Sequence, residues 1–379
     1  MDQGLNPPVD PSTEVLAERF HVYGVRRDGE RLLYFGEPLV ETEEVEVGVW
    51  QAFRDAGYEV QLRRQAGGRD EVGHVLIAEP VSIGVDGIPW TNLVLFVATL
   101  LSTLYVGSVW YYIDLSGNLW AMFEAWPFAL GVMAVLGIHE LGHYVMSRYH
   151  GVRASLPYFL PVPTIFGTMG AVIKISGRIP SRRALFDIGV AGPIAGILAT
   201  IVITVIGLHL PPVTAPSSVV ESEAAIQLSM GYPPLLEALA LAFDQPLRFD
   251  DPATSVNPLV IAGWLGMFIT FLNLIPVGQL DGGHITRAMF GDIQKRVGYI
   301  IPVSLFGLAA LLYLGLSVPL HAIVVWLFWG MFAMILAFVG PATPVDDERL
   351  DTRRKTIGIM TFAIGILCFV PVPIEIIAT

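Results

Sequence analysis

From Trp126 to Val145 the chain is apolar almost without a break, and about 20 such residues in a helix suffice to cross the hydrocarbon core of a bilayer. Six further stretches share that character: Asn92–Ile113, Leu185–Leu208, Pro258–Leu280, Gly298–Leu316, Leu320–Gly340 and Ile357–Ile377. In hydrocarbon every backbone N–H and C=O must find its partner inside the protein, which favours helices for segments of this length. The fold class that follows is mainly α, a polytopic membrane bundle of about seven spanning helices. Composition agrees. Only 15% of the 379 residues are charged and 54% are hydrophobic, where a soluble chain carries about 25% charged residues.

Two regions break the pattern. Ala154–Ser181 is too apolar for a plain loop and too rich in Pro and Gly for a spanning helix. Phe166-Gly-Thr-Met-Gly170 followed by Ala171–Ser176 reads as a turn and a strand. Irregular backbone at membrane depth is tolerated where protein or a water-filled cavity satisfies it, so a re-entrant β-hairpin beside a cavity is expected. The other region is the N-terminal part. Residues 1–15 are rich in Pro and Asp and are expected to be a disordered tail. Residues 16–88 form a small soluble α+β domain, and residues 89–379 the membrane domain. Phe20–Val25 and Leu32–Phe35 read as strands around Asp28-Gly29, and Val45–Ala56 as a helix with Val45, Val49, Ala52 and Phe53 on one face. Tyr58–Leu62 and His74–Ala78 read as two more strands, completing a ββαββ unit.

Charge sets orientation and partners. Residues 1–88 hold eight Arg and no Lys against seventeen Asp and Glu, and the whole chain has a net charge of −12. An acidic surface argues against nucleic acid as a partner. Cys368 is the only cysteine, which excludes an internal disulfide and a cysteine-based metal site. No positive n-region or early apolar stretch marks a cleaved signal peptide. Arg148, Arg153, Arg178, Arg182 and Arg183 follow the second apolar stretch. Arg287, Lys295 and Arg296 follow the fourth, and Arg349, Arg353, Arg354 and Lys355 the sixth. The positive-inside rule then puts the N-terminus in the cytosol and the C-terminus outside, in an integral protein expected in the cell membrane.

The apolar run that opens the argument contains His139-Glu140-Leu141-Gly142-His143. Histidines four apart lie one helical turn apart on one face. That spacing lets both imidazoles bind one Zn²⁺ while the carboxylate between them faces water at the metal. A charged side chain at the bilayer centre costs about 2.5–3.5 kcal/mol on insertion scales, so ionisable groups there point to function; the competing reading is a buried helix with two hydrogen-bonded histidines. A catalytic zinc takes three protein ligands and leaves one position for water. Asp281, just beyond the fourth apolar stretch, has the matching depth. It could instead cap a helix before Gly282-Gly283, and His284, nearer water, is a second candidate. His150, His209 and His321 lie near span ends and read as interfacial. The expected cofactor is one Zn²⁺ per chain.

His-Glu-x-x-His on one apolar helix, with Asn273-Leu-Ile-Pro276 and Asp281-Gly282 on a later one, resembles the site-2 protease family of intramembrane zinc metalloproteases. The resemblance covers residues 92–340, and Gly167–Gly170 with the run Phe186-Asp187 to Ala191-Gly-Pro193 is similar to its prokaryotic and chloroplast-type members. The loop 209–257 is too short for the PDZ domain of the bacterial sigma-factor-regulating branch. The resemblance implies His139, His143 and Asp281 as zinc ligands and Glu140 as the catalytic base. It matches Asn273 to a conserved asparagine, which could bond the oxyanion, the substrate backbone or a neighbouring helix. The implied substrate is the transmembrane helix of another membrane protein, and the implied setting is the lipid bilayer. A substrate helix must unwind to expose its carbonyls, and the hairpin around Gly167, Gly170 and Ile175 could hold it by strand addition. Gly192, Gly196, Gly263 and Gly266 read as close helix packing. The alternative function is a membrane metal-ion transporter using the same His and Asp cluster; such folds show internal repeats, and none is evident here.

Overall fold

The computed structural model describes residues 13–66, 72–80, 88–162, 164–220, 227–346 and 348–377. The chain divides into two compact units, residues 1–84 and 85–379. In the first, Thr13–Leu16 form a 3-10 turn ahead of β1 (Phe20–Asp28), β2 (Arg31–Pro38), α1 (Thr42–Asp55), β3 (Tyr58–Ala66) and β4 (Val72–Pro80). Residues 1–12, the bulk of the expected tail, lie outside the described residues. The strands form one antiparallel sheet in the order β1-β2-β4-β3. Gly29, with φ of +61°, supplies the left-handed turn between β1 and β2. Val45, Val49 and Phe53 recur along one face of α1 and are fully buried, with Tyr34, Tyr58 and Leu76 also in this core. The ββαββ order is thus the one the apolar periodicity predicts.

The second unit is helical. Five of its described helical segments are long and apolar enough to cross a membrane. They contain α2 (Trp90–Trp110), α3 (Trp126–Tyr149), α4 (Arg182–His209), α9 (Ile293–Ala310, extended by a π-helical turn to Gly315) and α10 (Leu320–Val339). Between α4 and α9 come the short α5 (Ser217–Val220) and α6 (Pro234–Ala242), then α7 (Pro258–Asn273) and α8 (Asp281–Phe290); α11 (Thr352–Leu367) follows α10. Helix starts carry recognisable caps. The side chains of Ser181, Asn257 and Asp351 accept hydrogen bonds from the N–H groups of Ala184, Leu259 and Arg354.

Two of the seven expected spans are shorter than predicted. The fourth stops as a helix at Asn273, because Pro276 cannot donate into a helical ladder and Gly278 turns the chain at φ of +51°. The seventh stops at Leu367, ahead of Pro371 and Pro373. Each is a 16-residue helix, below the usual spanning length.

The segment 153–176 is a β-hairpin. Its β5 (Arg153–Ala154) pairs with β8 (Ile175–Ser176), and β6 (Tyr158–Phe159) with β7 (Ala171–Val172), all antiparallel. It lies along α2. The Asn92 amide donates to the carbonyls of Leu156 and Pro157 at one end of that helix, and the Trp110 indole donates to Ile165 at the other. Short ladders then tie distant segments at both ends of α4. At its start β9 (Ile179–Ser181) pairs in parallel with β13 (Pro344–Asp346). Beyond its end lie β10 (Val213–Thr214), paired with β12 (Thr254–Ser255), and β11 (Gln227–Met230), paired with β14 (Ile374–Ile377). Between β13 and β14, α11 packs on α4, α7 and α8, with Arg354 in its first turn against Asp187 near the start of α4.

Candidate metal centre

The centre grows from the packing of α3 on α4. Gly142 lets the two backbones approach: a Cβ there would sit 2.5 Å from the Ala191 carbonyl oxygen. On α4, Gly192 and Gly196 leave room for two imidazoles. A Cβ on Gly192 would overlap the His143 ring, and one on Gly196 would lie 2.8 Å from His139 Nδ1. These glycines, expected only to bring helices together, cradle the histidines themselves. Gly263 and Gly266 do serve helix packing, under the hydroxyls of Thr204 and Thr200.

Asp281 arrives from the turn after α7, as the first residue of α8. It starts that helix and also reaches the two histidines. Its Oδ2 lies 3.2 Å from His139 Nε2 and its Oδ1 3.2 Å from His143 Nε2, while the two Nε2 atoms are 3.2 Å apart. An ion bound tetrahedrally with bonds of about 2.05 Å holds neighbouring ligand atoms roughly 3.3 Å apart. The triangle already has that spacing, and its ligand atoms lie within 4.8 Å of one another. His143 Nδ1 donates to the Ile188 carbonyl at 2.8 Å. That bond fixes the tautomer and leaves the lone pair of Nε2 directed into the triangle. His139, Glu140 and His143 are all buried.

Glu140 lies beside the ligands and accepts a hydrogen bond from the backbone N–H of Ile173, in the hairpin between β7 and β8. The Asn273 amide approaches His139 Nε2 at 3.2 Å from the last turn of α7. His139, Glu140, His143, Asn273 and Asp281 therefore gather in one place. Gly167 and Gly170 do not join them. Both shape the hairpin loop at positive φ, and a Cβ on Gly167 would meet the α2 backbone at Ser102. His284 sits outside the triangle against Gly189 of α4, where burial lowers its pKa to about 4. His150 is not simply interfacial: its Nε2 donates to Asp187 at 3.0 Å. Sequence reasoning named Asp187 only as part of a family-like run and gave neither it nor Ile188 a role. The available signal was a carboxylate inside an apolar span, Asp187 being the only one between Leu185 and Leu208.

Residues 127–314 match the model of peptidase family M50. The chain is 30% identical over 260 residues to a probable zinc metalloprotease, EGY2, of Arabidopsis thaliana chloroplasts, covering 68% of this chain and 43% of that protein. It is 32% identical over 255 residues to the related EGY1 of the same plant, covering 65% and 43%. The chain thus spans less than half the length of these relatives. A solved site-2 protease from Methanocaldococcus jannaschii aligns at 20% identity over 67% of this chain and 92% of its own, with a TM-score of 0.30.

Proposed function

We propose that the chain, whose residues 127–314 match peptidase family M50, is an intramembrane zinc endopeptidase of the site-2 protease kind that cuts transmembrane segments of other membrane proteins. The observation that carries the reading is the His139, His143 and Asp281 triangle with its 3.2 Å spacing and Glu140 beside it. These three side chains would hold the zinc. When bound, zinc supplies a Lewis acid that makes water more acidic and polarises the scissile carbonyl.

The remaining work falls to this chain. Glu140, buried and next to the ligands, accepts a proton from the attacking water on its carboxylate and passes one to the leaving amine nitrogen. The Asn273 amide offers N–H donors to the carbonyl oxygen as charge develops there. A helical substrate hides its carbonyls, so it must be presented extended. The β7–β8 side of the hairpin, whose Ile173 N–H reaches Glu140, is placed to pair with such a segment by strand addition. A cytosolic N-terminus and an outer C-terminus follow from the positive-inside rule, and the start of α2 is bonded to the Leu156–Pro157 segment of the Arg-rich connection between α3 and α4.

The test is Glu140→Gln. The amide cannot take a proton at neutral pH, and the three ligands are untouched. Purified variant should keep wild-type zinc content and lose cleavage of a single-span membrane substrate to below a few per cent. Retained cleavage removes Glu140 as the base, and parallel loss of zinc makes it a ligand instead.

A further inference from the structure

Asp187 stands one residue before Ile188, whose carbonyl receives the His143 Nδ1–H. Three elements meet on its carboxylate. Arg354 Nε donates to Oδ1 at 2.7 Å and Arg354 Nη2 to Oδ2 at 2.8 Å, a bidentate pair. His150 Nε2 donates to Oδ2 at 3.0 Å. Arg354 is itself held by Asp351, the cap of α11, at 2.7 Å. His150, the residue that ends α3, follows His143 by seven residues, so α4 is tied twice to this stretch: by His143 to the Ile188 carbonyl and by His150 to Asp187.

We infer that Asp187 is a positioning residue for the metal centre, and that α11 contributes to the site through Arg354. Resting on the metal reading above, the inference adds a part from outside the matched family region, which ends at residue 314. The carboxylate pins the second turn of α4 against the end of α3. It thereby sets where the Ile188 carbonyl stands and how the His143 ring is turned. A histidine ligand whose other nitrogen is well held binds its metal more tightly, and outer partners of this kind are worth about 10–100-fold in affinity.

The experiment uses the full chain in detergent, loaded with zinc or cobalt. Asp187→Asn and Arg354→Gln should each speed metal loss to a chelator by roughly tenfold and shift the visible absorption of bound cobalt. Asp187→Glu, which keeps a carboxylate for Arg354, should recover most of both. Glu348→Gln serves as the comparison, because it breaks an exposed pair with Arg183 near the start of α4, at 3.6 Å, and should change neither. If Asp187 merely supported the fold, the folded fraction of Asp187→Asn would show the wild-type cobalt spectrum and chelator rate, and the inference would fall while the metal reading stood. Wild type that takes up no metal would overturn the metal reading itself.

Discussion

Replacing Gly192 by alanine tests how closely α4 is fitted to a ligand. A methyl group at that position would overlap Nε2 of His143 and lie 2.5 Å from Cε1, where ordinary contact begins at 3.4 Å. The ring must therefore retreat by about 0.9 Å or more, whereas ligand distances in a metal site tolerate about 0.2 Å. A shift four times that tolerance removes His143 from the ion. Its loss should cost at least about 100-fold in zinc affinity, the upper range for an outer-shell change, which is about 2.7 kcal/mol. Gly196→Ala, whose Cβ would sit 2.8 Å from the far nitrogen of His139, should cost less. Gly189→Ala, with 3.3 Å to the His284 Cβ, should cost nothing measurable. Zinc content against a graded chelator series, in detergent-purified proteins of equal helix content, reads all three. The reasoning fails if Gly192→Ala holds zinc like wild type, or if Gly189→Ala loses as much.

Asp281→Ala should lower zinc affinity at least as far as Gly192→Ala, while His284→Ala should leave zinc content unchanged; the reverse order would move the third ligand to His284. A protein lacking residues 1–84 should keep its zinc, because every proposed ligand lies in the second compact unit, and collapse with loss of metal would show that the first unit is needed to build the second. In a Cys368→Ser background, Ala171→Cys should react with a membrane-impermeant thiol reagent only from the cytosolic side. Reaction only from outside would reverse the proposed orientation.

What the sequence made legible is what periodicity and spacing encode. The ββαββ order, the apolar helices and the turn-and-strand character of 166–176 follow from alternation, from runs of about 20 apolar residues and from Gly and Pro placement. Histidines four apart on one helix face are likewise a local fact. Helix ends at prolines were misjudged because hydropathy does not register a missing N–H: Leu274–Leu280 and Cys368–Ile377 are as apolar as the helices they follow. The roles of Gly192, Gly196 and Asp187 were hidden for another reason. Each depends on which residue faces it across the α3–α4 contact, and a small residue reads the same whether it meets a backbone or an imidazole. Arg354, far along the chain from Asp187, gives no local sign of its partner.

The break after Asn273 shows why a helix should end inside the bundle. A continuous helix from Pro258 would carry residue 281 more than two turns past Asn273, too far along the axis for both side chains to reach one imidazole. The chain instead folds back. Gly278 turns at φ of +51°, and a Cβ on Gly282 would overlap the Leu274 carbonyl, while one on Gly283 would overlap that of Gly278. The two glycines thus let the start of α8 lie directly against the end of α7. The result is that Asn273 Nδ2 and Asp281 Oδ2 both stand 3.2 Å from His139 Nε2. The spacing from Asn273 through Pro276 to Asp281-Gly282-Gly283 is therefore first a folding instruction. Proline ends the helix, the glycines permit the reversal, and the two polar side chains at its ends converge on the histidine. Lengthening that turn by one residue would separate the two groups even with every chemical side chain in place.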